Sequence, residues 1–283
     1  MKLRVAACQT LTYPDVARSA DKIIHWLERA KEDGIDVVTF PEAGICGYQN
    51  DPVYWASADP DAFLAAEEAI TNRASELDIA VVLGSAHWEG GQLFNSLLVI
   101  DKGGIVRGRY AKTHLAEDWP APGRKLPIYD VAGVASCFII CHDVRYPELV
   151  RLPAVAGARI CYFCSNESGF VKEFKLSAYN AMPIARATEN SIFCVMANAP
   201  ADLNDGRSVS QSHGNSKIIH PHGYVLDEAG FFEERFVTAT IEVDDANRSI
   251  ARRAAEDETI LRSWMNEGID LVDMPGSGRT EKK

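Results

Sequence analysis

The chain has no apolar run approaching the roughly 20 residues that span a membrane, and no glycine-rich loop of the dinucleotide or Walker type. Gly90-Gly91 and Gly103-Gly104 read as turns, so no nucleotide cofactor is implied. Positive charge is also scarce: 29 Lys and Arg face 40 Asp and Glu, a formal charge of −11. That balance disfavours a nucleic-acid partner or an anionic membrane surface and favours a small molecule. The opening Met1-Lys2-Leu3-Arg4-Val5-Ala6-Ala7-Cys8 is too short in apolar residues for a secretory signal, so a cytoplasmic location is expected. Seven cysteines, an odd number without such a signal, argue against a disulfide framework. Cys161 and Cys164 have redox-motif spacing, but inside an apolar strand residues three apart aim at opposite faces. Cys137 and Cys141, four apart, would share a strand face; Cys137 reads as a small core residue, with a place beneath Cys141 as the alternative.

What is present is a large core. Over 283 residues, 47% are apolar, enough for one α/β domain of substantial size. Apolar or alternating stretches at residues 3–7, 37–40, 79–83, 96–100, 106–111, 134–140, 160–164, 193–197, 216–219 and 237–241 read as strands. Helical periodicity lies at Val16, Ile23, Leu27 and Ala30, over 63–77, and near 148–156, 173–190 and 244–265. Some strands follow one another across turns only, as at 101–104 and 220–223, so hairpins mix with crossover units. The pattern predicts a layered α/β domain with mixed sheets. No linker or internal repeat divides it, so residues 1–265 read as one domain. Residues 266–283, ending in a polar, breaker-rich stretch, read as a tail that is flexible or lies at an oligomer interface.

Three segments carry chemistry. Val134 to Ile140 ends at Cys141 and turns at once into a helix start, near backbone N–H groups that hold a thiolate or an oxyanion. Val37 to Phe40 lead into Pro41-Glu42, and Val106 to Ala111 into Lys112. A thiol, a carboxylate and an ammonium, each just past a strand, supply a nucleophile, a base and an electrophilic stabiliser. A free thiol with a pKa of about 8.5 is mostly protonated at neutral pH, so Glu42 is the candidate acceptor of its proton. Lys112 and the backbone N–H of His142 are the candidate oxyanion donors. His142 and Asp143 adjoin Cys141 too closely for a thiol–imidazole–carboxylate relay. Asp143, Arg145 and Glu148 read as structural, with Arg145 on a substrate carboxylate as the alternative; His114 also reads as structural.

With Phe40-Pro41-Glu42, Tyr110-Ala111-Lys112-Thr113-His114-Leu115 and Cys141-His142-Asp143-Val144-Arg145-Tyr146-Pro147-Glu148 in order, the chain resembles the nitrilase superfamily of carbon–nitrogen hydrolases over roughly residues 3 to 265. Asn95-Ser96, residues 185–190, Asn198 and Gly214-Asn215-Ser216 support the resemblance. It implies a four-layer α-β-β-α sandwich with two mixed sheets, a homodimer or higher oligomer, and a thioester intermediate without metal or cofactor. It also implies a second carboxylate orienting Lys112: Glu117, with Asp118 as competitor. Pocket residues by the same resemblance are Tyr48, Asn166, Glu167 and Ser168. His142-Asp143 after the nucleophile, where true nitrilases tend to carry Trp-Glu, favours a small amide or carbamoyl substrate over a nitrile. Acyl transfer at the same site and a catalytically silent binding protein are the remaining alternatives.

Overall fold

The computed structural model describes residues 1–167, 175–202 and 212–274. In chain order the elements are β1 (Lys2–Gln9), α1 (Val16–Glu32), β2 (Val37–Thr39), α2 (Pro52–Ser57), α3 (Pro60–Leu77), β3 (Ala80–Glu89), β4 (Gln92–Asp101), β5 (Ile105–Ala111), β6 (Leu126–Pro127), β7 (Tyr129–Val131) and β8 (Val134–Ile140). They continue with α4 (Glu148–Ala156), β9 (Ile160–Ser165), α5 (Leu176–Thr188), β10 (Phe193–Asn198), β11 (Lys217–Ile219), β12 (Val225–Glu228), β13 (Arg235–Glu242), α6 (Ser249–Glu256), α7 (Arg262–Ile269) and β14 (Val272–Asp273).

One sheet has the order β13-β1-β2-β3-β4-β5 and the other β12-β11-β10-β9-β8-β7, with β14 and β6 pairing apart from both. Strands β1, β2 and β3 are parallel, flanked by antiparallel β13 on one side and β4 then β5 on the other. The second sheet repeats this: β8, β9 and β10 are parallel, flanked by antiparallel β7 and by β11 then β12. Alternate residues decide the layers. Val5, Val37 and Val82 pack inward against Phe138, Tyr162 and Val195, forming the core between the sheets. Ala6, Val38 and Val81 face outward and are covered by α1 and α3 through Ile23, Leu27, Phe63 and Ile70. On the far side Ile139, Phe163 and Met196 are covered by α4, α5 and α7 through Val150, Tyr179 and Met265. The architecture is therefore the α-β-β-α sandwich with two mixed sheets.

Local chemistry sets the element ends. Helix α1 starts at Asp15, whose carboxylate accepts from the Arg18 N–H at 2.9 Å. Burying its Ile23, Trp26 and Leu27 contributes about 1.5–3 kcal/mol for each aliphatic or aromatic side chain. The single helix expected over 244–265 is instead two. Arg248 takes a left-handed φ of 57° before α6, and after α6 the Thr259 N–H bonds the Asp257 carbonyl while Thr259 Oγ1 accepts from the Leu261 N–H. These local turns interrupt a periodic pattern that apolar spacing alone cannot resolve. The boundary at 265 falls inside α7, which runs to Ile269, and Val272–Asp273 then pair with Leu126–Pro127. The short α2, β6, β7, β12 and β14 carry too few residues for a periodic signal.

The cysteines divide as strand alternation requires in one case and not in another. Cys161 and Cys164 lie in different core layers. Cys137 does not underlie Cys141: it lies on the outer face, aligned across the parallel strands with Cys161 and Cys194. The reason is that Cys141 has left the strand and turned, with φ at 44°.

Candidate active site

The site forms where the carboxyl ends of β2, β5, β8 and β9 meet between the two sheets. Strand β2 is only three residues long and wholly buried; beyond it Phe40 still pairs with Val82, and the chain then turns through Pro41, Glu42 and Ala43, the last at φ 51°. The turn lies directly on β3 at Gly84, where an added Cβ would fall 1.9 Å from the Pro41 carbonyl oxygen and 2.9 Å from the Glu42 Cα. Only a residue without a side chain lets the Glu42 turn approach this closely. From the other sheet, the Ser165 carbonyl accepts from the Glu42 N–H at 3.3 Å.

Lys112 follows β5, its N–H bonded to the Asn95 carbonyl at 2.8 Å and its carbonyl to the Gly123 N–H at 2.7 Å. Gly123 repeats the close-approach solution, since its Cβ would lie 2.1 Å from the Ala111 carbonyl oxygen. The intervening loop is held by Trp119, stacked on Trp55 of α2 with ring centroids 4.1 Å apart. This loop brings Glu117, not Asp118, to the lysine: Glu117 is buried and Asp118 is exposed.

Lys112 Nζ contacts Glu42 Oε1 at 2.8 Å and Glu117 Oε1 at 2.5 Å, all three side chains being fully buried. Asn95 Nδ2 donates to Glu42 Oε1 at 2.8 Å, the Asn166 N–H to Glu42 Oε2 at 3.0 Å, and the Tyr48 hydroxyl to Glu117 Oε1 at 2.7 Å. One cation between two carboxylates leaves an excess negative charge in a dry place. Burial, reinforced by the charge of Glu117 and opposed by Lys112, pushes the Glu42 carboxyl up to about 7. Glu117 goes the other way, because its attraction to Lys112 and its hydrogen bonds outweigh burial. Lys112 is held above its usual range by Glu42, Cys141 and Glu117 against the opposing effect of burial, so it stays an ammonium.

Cys141 is 5% exposed and begins a 3-10 turn that runs to Arg145. A positive φ on a non-glycine residue costs of order 1–3 kcal/mol, and the surroundings hold it. Asp143 supplies that hold: one carboxylate oxygen accepts from the Tyr110 hydroxyl at 2.7 Å and the Ile140 N–H at 3.1 Å, the other from the His114 N–H at 2.8 Å. Asp143 is therefore structural, as read. His142 follows in the same turn, and His114 stacks on Tyr146. Arg145 is exposed, with its guanidinium 5.8 Å from the Tyr179 ring centroid.

The thiol donates to Glu167 Oε2 at 3.1 Å, and the Tyr179 hydroxyl lies 3.9 Å from Sγ. Burial and the charges of Glu42 and Glu167 push the thiol well above its usual range, with Lys112 opposing. Tyr48, Asn166 and Glu167 all reach this group, while Ser168 lies outside the described residues. Sequence reasoning singled out neither Tyr179 nor the two close-approach glycines. A glycine within a strand pattern at Gly84 was the one available signal.

The family model for carbon–nitrogen hydrolases matches residues 4–250. The chain belongs to the carbon–nitrogen hydrolase family. Among relatives, an (R)-stereoselective amidase of a Pseudomonas species is 30% identical over 77% of this chain and 76% of its own. A 2-oxoglutaramate amidase of Bacillus subtilis is 28% identical over 87% and 93%. A solved structure of the amidase from Nesterenkonia sp. AN1, a glutamate-to-glutamine variant with the acetamide moiety of fluoroacetamide added covalently at its active-site cysteine, superposes with a TM-score of 0.79. It is 25% identical, covering 93% of this chain and 96% of that one. The hydrolase class and the amidase branch of the nitrilase superfamily, read from the three motifs, hold. Among the described residues no helix of this hydrolase is long and apolar enough to cross a membrane, and no group of three or more His, Cys, Asp or Glu is arranged to hold a metal ion.

Proposed function

We propose that this hydrolase cleaves the C–N bond of a small linear amide or N-carbamoyl compound through a thioester on Cys141. The observation that carries the reading is the buried Glu42–Lys112–Glu117 group beside a thiol held in a strained turn. A thiolate formed alone there would add charge to an already negative, dry site. Passing the thiol proton to Glu42 as sulfur attacks leaves the net charge unchanged, so proton transfer and attack proceed together.

As the C–S bond forms, charge on the carbonyl oxygen is taken up by the Lys112 ammonium and the His142 N–H, each donor contributing about 3–4 kcal/mol. Breaking the C–N bond sends the proton on Glu42 to the leaving nitrogen. Water then adds to the thioester with Glu42 again taking a proton, and the released sulfur regains its own. Glu117, bonded by Tyr48, fixes the lysine. Tyr48, Asn166 and Glu167, with Ser168 by its position after β9, line the acyl pocket. The cysteine adduct of the Nesterenkonia amidase supports the nucleophile, and the two amidase relatives support the amide class.

The test is ammonia release from a panel of small amides, ω-amides and N-carbamoyl amines. Wild type is expected to release ammonia from at least one and to form an acyl adduct of matching mass, and Cys141→Ala to do neither. Turnover retained by the alanine variant would refute the mechanism. Hydroxamate formation on adding hydroxylamine would favour acyl transfer as a second outcome of the same thioester.

A further inference from the structure

The sulfur of Cys141 donates its hydrogen bond to Glu167, at 3.1 Å, and not to Glu42. Glu167 is itself anchored: its Oε1 pairs with Lys175 Nζ at 2.8 Å and its N–H bonds Asn198 Oδ1 at 3.1 Å. Glu42 and Glu167 flank one peptide, because the Asn166 N–H donates to Glu42 Oε2 and Glu167 is the next residue. Each lies just past the second parallel strand of its own sheet, β2 and β9. The charges of both carboxylates act on the sulfur, each supplied from just past the middle parallel strand of its sheet.

We propose that Glu167 is the resting hydrogen-bond acceptor of the Cys141 thiol, which keeps its proton and stays neutral until an acyl group enters and the S–H swings to Glu42. This rests on Cys141 being the nucleophile and Glu42 its base. A carboxylate oxygen accepts two donors, so Oε2 of Glu42, holding the Asn166 N–H, has room for the thiol. Release from Glu167 costs little because Lys175 continues to pair with its carboxylate. The charged and titratable groups facing the sulfur are Glu42, Tyr48, Lys112, Glu117, Glu167 and Tyr179. The lysine alone favours the thiolate, so removing the charge of Glu167 moves the balance toward it. The reward for the enzyme is protection: an idle thiol is neither alkylated nor oxidised as fast as a thiolate.

The experiment is alkylation of Cys141 by iodoacetamide between pH 6 and 10, followed by intact mass, in wild type, Glu167→Gln and Glu167→Asp. With the thiol pushed well above its usual range, labelling still accelerates across this window, and the Gln variant is expected to run ahead of wild type as a thiol about one unit more acidic would. That gives about tenfold more thiolate at pH 7 but only about threefold faster reaction, because a less basic sulfur is a weaker nucleophile. The Asp variant, with its charge withdrawn by one methylene, is expected to shift the same way by less, and it serves alone if the Gln variant does not fold. A profile that superimposes on wild type, or moves upward because Glu167 was generating the thiolate, overturns the proposal. Failure of wild type to label selectively at Cys141 at any pH would instead remove the nucleophile reading on which it rests.

Discussion

Glu42 carries two obligations at the scale of a residue, and they conflict. As the proposed base of the free enzyme it must be ionised, so kcat/KM is expected to rise through about pH 7, the value to which burial pushes this carboxyl. Glu42→Gln should lower kcat by about 10²–10⁴-fold. Stability runs the opposite way. A carboxyl whose folded pKa exceeds its unfolded one binds the proton more tightly when folded, so its contribution is full below pH 4.5 and is lost as pH rises toward 7. Glutamine does not titrate. The melting temperature of Glu42→Gln relative to wild type is therefore expected to increase between pH 5 and 8, read by thermal unfolding at several pH values; a difference that stays flat over that range would show that Glu42 ionises freely. That Glu42, Lys112 and Cys141 each follow an apolar strand was legible in the chain. The partner of the thiol was not, since a hydrogen bond between residues 141 and 167 leaves no trace in local pattern.

Elements position these side chains by contact between backbones. The Glu42 turn lies against β3, and the Lys112 carbonyl against the Gly123 N–H, with gaps too small for any Cβ. Gly84→Ala is expected to cost about 1–3 kcal/mol in stability, as overpacking does. It should also lower kcat by more than tenfold, because the turn carrying Glu42 must move. Urea unfolding together with steady-state kinetics measures both, and an alanine variant with full activity would show that the turn adapts. All ten strands read from apolar stretches exist, since alternation and burial are written residue by residue. The helix over 244–265 misread as continuous shows the opposite case, in which Arg248 in a left-handed conformation and the Asp257–Thr259 turn outweigh periodicity.

At the scale of the whole molecule, two sheets with the same strand pattern stack so that the carboxyl ends of β2 and β5 meet those of β8 and β9. No sequence repeat announces this, because the pattern is shared in hydrogen-bonded order and not in residue identity. The outer layer beside α4 also carries apolar groups in solvent: Ile250, Ile260, Leu261, Trp264 and Leu271 are 48%, 96%, 58%, 46% and 68% exposed. Such a group on one side of a charged protein favours self-association. Sedimentation equilibrium is expected to give a dimer or larger species, and Ile260→Asp with Trp264→Asp to weaken it. A monomer at micromolar concentration in the parent chain would exclude this.

The sequence by itself determined the strands, the layer class and the placement of Glu42, Lys112 and Cys141 just past strand ends, because apolar alternation and strand ends are local properties of the chain. The tertiary structure alone decided that Glu117 and not Asp118 meets Lys112, that Cys137 lies away from Cys141, and that the thiol rests on Glu167. Those outcomes depend on where a loop lands and which way a turn faces. They are set by packing between segments distant in the chain, on which the spacing of neighbouring residues has no bearing.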